Sequence, residues 1–198
     1  MAELRIGLDV DGVLADFNPA YIELLTKQTG IKFPEVNDQY PDTWNYDRAA
    51  GVKKEDETAV WNIIKGSEDF WFKLLPYHNV CAFLVWLKYL RQDTYFITNR
   101  CGSAKSQTER WLHKAGYPEP TVLISSEKAM VCKALNITHY IDDKNENCND
   151  VKCYASRTKG YMLKRPWNEP IESVPRLSSL KDFQNILVMA RLEGKDGV

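Results

Sequence analysis

Three short runs in this chain combine residue types that can act on a phosphate group. Asp9-Val10-Asp11-Gly12 sets two carboxylates two positions apart before a glycine. Thr98-Asn99-Arg100 offers a hydroxyl, an amide and a fixed cation, and Asp142-Asp143-Lys144 offers two adjacent carboxylates. Each closes a strand-like stretch, at residues 4–10, 94–98 and 139–141. Residues at the carboxyl ends of parallel strands share one sheet edge, where open α/β sheets bind their ligands. Carboxylates gathered at such an edge repel one another unless a cation joins them. Hard oxygen donors with no His or Cys close by favour Mg2+.

A carboxylate beside that cation can attack phosphorus and form an aspartyl-phosphate. The metal offsets repulsion between the nucleophile and the phosphate. A second carboxylate two residues on, after a turn that Gly12 allows, can protonate the leaving oxygen and later take a proton from the attacking water. The Thr98 hydroxyl and a lysine ammonium can hold the remaining phosphate oxygens, and the candidate lysines are Lys128 and Lys133. Arg100 brings a planar fork of donors near the phosphate or the leaving group. A lone DxD is common, and acidic pairs at strand ends often only cap helices. All these sites together, in this order and each at a strand end, point to one phosphate-handling centre.

The elements that must position these residues follow from periodicity. Helices are predicted at 19–28 (stopped by Gly30), 55–65, 80–90, 103–115, 127–135 and 179–192. Further strands are predicted at 121–124, 151–155 and 161–163, and residues 31–54 read as loop. From residue 80 onward, strands alternate with helices, which implies right-handed βαβ units and a parallel sheet covered on both faces. The first strand can join that sheet only if the stretch after it is an insertion outside the sheet. The expected division is a core of residues 1–17 and 76–198 and a helical insertion of residues 18–75.

Composition narrows the function classes. The 198 residues carry a formal net charge of −1, so no global field draws a nucleic-acid polymer. Hydrophobic residues make up 44% and charged residues 27%, which fits a globular chain rather than a disordered one. No apolar run approaches the roughly 20 residues of a membrane span, and the N-terminal run has no signal-peptide pattern. The five cysteines are odd in number and scattered, so they read as reduced cytoplasmic thiols, most of them buried.

With these residues in view, the sequence resembles the haloacid dehalogenase superfamily of phosphotransferases. Asp9-Val10-Asp11-Gly12-Val13 resembles its first motif, Thr98 its second, Lys128 its third and Ile141-Asp142-Asp143 its fourth. The run DVDGVLADF, Asp9 through Phe17, is similar to the opening of the 5'(3')-deoxyribonucleotidases, and Asp69 through Pro76 is similar to the segment that leads out of that family's cap. The resemblance implies a Rossmann-like parallel sheet flanked by helices, with a small helical cap after the first strand. It implies Asp9 as nucleophile and Asp11 as acid/base. Mg2+ would be held by Asp9, the Asp11 main-chain carbonyl and an Asp of the fourth motif, with Asp142 preferred over Asp143. Thr98, Asn99 and Lys128 would bind the phosphate. The family's second motif commonly continues Thr-Ser, whereas this chain has Thr98-Asn99-Arg100.

The insertion is rich in aromatic residues, whose faces can stack on a nucleobase for about 1–3 kcal/mol per base. Phe17, Trp44, Trp71 and Arg100 are the expected base or leaving-group pocket. Trp61, on a helix face, is expected to pack within the insertion's own core. The implied substrate is a nucleoside monophosphate, deoxy and pyrimidine by analogy. Another small phosphate ester, or an idle binding protein of the same fold, is the competing reading. The sequence leaves a homodimer open.

Overall fold

The computed structural model describes residues 4–33, 45–172 and 174–193. The first strand, β1 (Arg5–Leu8), is buried over Ile6, Gly7 and Leu8 and ends at the Asp9 run. The short strand β2 (Ala15–Asp16) follows, then the helices α1 (Asn18–Thr29), α2 (Tyr46–Ala49), α3 (Lys54–Gly66) and α4 (Phe70–Lys73). The chain returns through β3 (Leu75–Pro76), which pairs antiparallel with β2, Ala15 against Pro76. Thereafter come α5 (Val80–Leu90), β4 (Asp93–Thr98), a 3-10 turn at Gly102–Ala104, α6 (Lys105–Lys114), β5 (Thr121–Ile124) and α7 (Lys128–Ala134). The chain continues with β6 (His139–Asp142), α8 (Asn145–Tyr154), β7 (Lys159–Leu163), β8 (Arg176–Leu177) and α9 (Leu180–Glu193).

The six-stranded sheet has the order β5-β4-β1-β6-β7-β8, and every neighbouring pair is parallel. Because β1 lies at the centre, Leu8 faces Phe96 on one side and Ile141 on the other. Asp9, Thr98 and Asp142 therefore leave the sheet at the same edge, as the strand-end pattern requires. Gly7 in β1 serves a close approach. A Cβ there would stand 2.8 Å from the Tyr140 ring, so glycine lets that ring lie across β1.

One buried apolar cluster runs from the sheet (Ile6, Leu8, Phe96, Ile141) through α5 (Phe83, Leu84, Leu87) into the inserted helices, where Leu25, Val60, Ile64 and Trp71 join it. The inserted helices are thus packed on the sheet-bearing part by apolar contact as well as by the β2–β3 ribbon.

Two expectations are corrected. Residues 151–154 belong to helix α8, which Ala155 caps, and are not a strand. The alternation of Val151, Cys153 and Ala155 imitates a half-buried strand, yet the buried pair in the element is Cys148 and Val151, three residues apart on one helix face. Of the five cysteines only Cys132 and Cys148 are buried, while Cys81 and Cys153 are exposed.

Candidate active site

Asp9, Asp11, Thr98, Asn99, Arg100, Lys128 and Asp143 line one cavity of about 400 Å3 above the carboxyl edge of the sheet. That volume is within the roughly 300–1,000 Å3 typical of small-molecule sites. Phe17, and Tyr21, Trp61 and Trp71 from the inserted segment, line the same cavity. Trp44 lies outside the described residues.

Asp9 follows β1 and its main-chain N–H donates to Ile141 O at 3.0 Å, which fixes it beside β6. Its side chain is buried and stands 2.7 Å from Lys128 Nζ. Lys128, at the start of α7, also donates to Asp142 Oδ2 at 2.9 Å. Burial and the nearby Asp142 push the Asp9 carboxyl well above the ordinary carboxylate range, against the pull of Lys128. For Lys128 the balance runs the other way. Burial favours the neutral amine, but Asp142 and Asp9 together raise its pKa, so it is a permanent cation.

The two carboxylates of the fourth motif have different surroundings. Asp142 is fully buried and accepts from Lys128, the Tyr140 hydroxyl, the Lys144 main-chain N–H and Asn147. Asp143 Oδ2 accepts from Trp167 Nε1 at 2.7 Å, while its Oδ1 is buried with no protein partner. Burial and Asp142 push the Asp143 carboxyl up to about 7. Asp143 lines the cavity and Asp142 does not. The two carboxylates therefore present themselves differently to the cavity. Asp142 faces back to hold Lys128, and Asp143 offers the open oxygen.

Asp9, Asp142 and Asp143 each offer a carboxylate oxygen within 4.8 Å of the others. This oxygen-only donor set, with one orphaned oxygen and a raised Asp9, fits a hard divalent cation. The Asp11 carboxylate is not in that cluster. It turns instead to Arg100, so any part it has in holding a cation falls to its main chain. Gly12 makes the close packing here attainable, because its φ is +81° and a Cβ would stand 2.2 Å from Asp143 Oδ2.

Thr98, the last residue of β4, is buried and its hydroxyl has no protein partner. Such an orphaned donor beside a buried lysine is a preformed seat for an anionic oxygen. Arg100 lines the cavity and is also tied to its neighbours. Its Nε donates to Asp11 Oδ2 at 2.9 Å and its Nη2 to Asp11 Oδ1 at 2.7 Å. Its Nη1 donates to Thr108 Oγ1 at 2.8 Å. Three of its five N–H groups are thus used within the protein, and the face of the fork lies 4.6 Å from the Trp71 ring.

Across the cavity, Phe17 stacks on Trp61 (5.9 Å, 17°) and on Trp71 (5.7 Å, 16°). Trp61 is therefore a wall of the cavity rather than only core of the insertion. The loop after β7 was not read from the sequence as part of the site. There Arg165 Nε donates to Gly12 O at 2.6 Å, and Asn168 Nδ2 donates to Asp143 O and to Leu163 O, at 2.7 Å each. The available signal was position, since Arg165 to Asn168 follow a strand that ends at the same edge.

Residues 3–193 match the family described as 5' nucleotidase, deoxy (Pyrimidine), cytosolic type C. The chain belongs to this family. A Bacillus cereus protein named "Putative nucleotidase" is 21% identical over 194 residues, covering 93% of this chain and 98% of the relative. Among solved structures, a haloacid dehalogenase-like family hydrolase from Streptococcus pneumoniae has a TM-score of 0.63 at 13% identity, covering 93% of this chain and 98% of that one. A HAD family hydrolase from Deinococcus radiodurans R1, solved with bound phosphate and sodium, has a TM-score of 0.61 at 11% identity, covering 97% and 98%. The fold is that of the haloacid dehalogenase hydrolases, and the chain is an enzyme of the phosphatase and nucleotidase class. No described helix is long and apolar enough to cross a membrane.

Proposed function

We propose that this nucleotidase-family chain is a Mg2+-dependent phosphomonoesterase that hydrolyses nucleoside monophosphates, deoxyribonucleotides among them, through an aspartyl-phosphate on Asp9. One observation carries the reading. The cavity that holds Asp9, the orphaned Thr98 hydroxyl and the orphaned Asp143 oxygen is also lined by the aromatic residues Phe17, Tyr21, Trp61 and Trp71. A phosphate would find its donors at one end and a flat base its stacking surfaces at the other.

In the first half-reaction an Asp9 oxygen attacks phosphorus, and the bond to the ester oxygen breaks. Asp11 gives that oxygen its proton, so the nucleoside leaves as a neutral alcohol. Thr98, Asn99 and Lys128 hold the non-bridging oxygens as charge builds. In the second half a water attacks the phosphoryl group, Asp11 receives its proton, and Asp9 is released as a carboxylate. Mg2+ would be held by Asp9, Asp143 and the Asp11 main chain, and would offset repulsion between nucleophile and phosphate. Residues 18–75 act in this reading as a cap that shields the acyl-phosphate from bulk water and selects the leaving group.

The substrate claim is tested by phosphate release from 5' and 3' nucleoside monophosphates set beside sugar phosphates, each with Mg2+. Preferential release from nucleotides is expected. Equal rates on every ester would remove the nucleotide claim and favour a broad small-ester phosphatase.

A further inference from the structure

We propose that Arg100 is the positioning residue of the acid/base Asp11: it fixes the direction of that carboxylate, and so supports expulsion of the leaving group, without binding phosphate itself. The inference rests on the proposed roles of Asp9 and Asp11.

Asp11 sits in the turn that follows β1, where Gly12 N–H donates to Ala15 O. Its side chain is 27% exposed, so burial alone does not fix its rotamer. The Arg100 side chain is fully buried and meets both Asp11 oxygens. Two parallel N–H donors on one carboxylate set its plane as well as its place. The fork is held in turn from two sides. Nη1 donates to Thr108 Oγ1, and the Thr108 hydroxyl donates to Ala104 O at 2.8 Å.

The face of the fork lies on Trp71, whose main-chain N–H donates to Gln107 Oε1 at 3.0 Å. Gln107 and Thr108 are neighbours on α6, so one helix braces both the guanidinium and the main chain of Trp71. Trp71 also stacks on Phe17 at the cavity wall. The chain Asp11–Arg100–Trp71–Phe17 thus ties the proton-transfer group to the surfaces that would meet the leaving group. A misplacement of about 1 Å at such a group costs on the order of a hundredfold in rate. Three of the five guanidinium N–H groups serve Asp11 and Thr108, so the fork itself is spent on the carboxylate and not on the phosphate.

The test compares two esters in R100Q and R100K. A nucleoside leaves as an alcohol and needs the proton, whereas p-nitrophenol leaves as a stable anion and does not. R100Q is expected to lower kcat for a nucleoside 5'-monophosphate about a hundredfold. It is expected to lower kcat for p-nitrophenyl phosphate by at least tenfold less, and to leave inhibition by inorganic phosphate within about threefold. R100K keeps the charge but not the fork, and should fall between R100Q and wild type. In the D11N background, adding R100Q should cost nothing further, since the two act as one unit.

Equal losses on both esters, or additive losses in D11N, would overturn the inference while leaving the phosphatase reading intact. Weakened inhibition by inorganic phosphate would instead make Arg100 a phosphate ligand and also overturn it. Failure of the wild-type chain to hydrolyse either ester would overturn both readings.

Discussion

Lys128 Nζ stands 2.7 Å from an Asp9 oxygen, and both groups are buried. The same ammonium reaches Asp142, so one cation compensates two carboxylates while Asp143 is left facing the cavity. In the proposed reading, the nucleophile is thereby held in place by a residue that also completes the phosphate seat.

Removing Lys128 should therefore cost stability as well as activity. Breaking a buried ion pair by deleting one partner typically costs about 3–5 kcal/mol. K128M is expected to lose about 3 kcal/mol by urea denaturation in metal-free buffer, with part of the loss recovered in Mg2+. Nucleotide turnover should fall below detection.

Thr98 should behave in the opposite way. Its hydroxyl has no partner within the protein, so T98V removes no internal hydrogen bond and should leave the denaturation midpoint unchanged or slightly higher. Loss of one donor to a charged transition state typically lowers kcat by about 10²–10³-fold. T98V is expected in that range, and T98S should restore most of the rate.

Trp167 tests the support behind the proposed metal site. Its indole N–H on Asp143 is among the influences that lower the carboxyl, which burial and Asp142 together push up to about 7. W167F should let the carboxyl rise further, so that at neutral pH more of it holds a proton that competes with Mg2+. Calorimetric titration should show Mg2+ affinity at pH 7 reduced by about 10–100-fold. The deficit should shrink as pH rises to 8 and grow as it falls to 6.

His139 gives a pH dependence of stability away from the cavity. Burial and then Lys159 lower its pKa from 6.5 to about 4, and its ring lies parallel to Tyr161 at 6.1 Å. Between those values the unfolded chain binds the proton and the folded chain does not. The contribution of His139 is therefore fully present above pH 6.5 and is lost as pH falls toward 4. Urea midpoints should drop between pH 7 and 5 more steeply in the wild-type chain than in H139F. Equal slopes would show that His139 is not the group responsible.

Most of the edge that carries the site was legible from residue order alone, because a strand-end position and its chemistry occupy the same few residues. Asp9, Thr98, Lys128 and Asp143 meet where the pattern of strands puts them. The direction of each side chain was not legible. Asp142 and Asp143 are adjacent, and only the placement of Tyr140 over Gly7, with Asn147 on the first turns of α8, shows which of them turns inward. Arg100 reads by type and spacing as a cation near the phosphate or the leaving group. Its true partner, Asp11, is 89 positions away in the chain and is recognised only once β1 and β4 pair. Trp61 was read as core because a helical period reports burial, not which cavity a buried face borders. The strand expected at 151–155 failed because so short an alternation is weak evidence for period two, whereas the buried Cys148 and Val151 recur at helical spacing.

The central claim is that Asp9 is the nucleophile of a metal-dependent nucleotide phosphatase. Its most direct test is phosphate release from a nucleoside 5'-monophosphate by the wild-type chain and by D9N, each in Mg2+ and in EDTA, with the fold of D9N checked by its denaturation midpoint. The account predicts release by the wild-type chain in Mg2+ only, and none by a folded D9N in either condition. Release by D9N at the wild-type rate would contradict it.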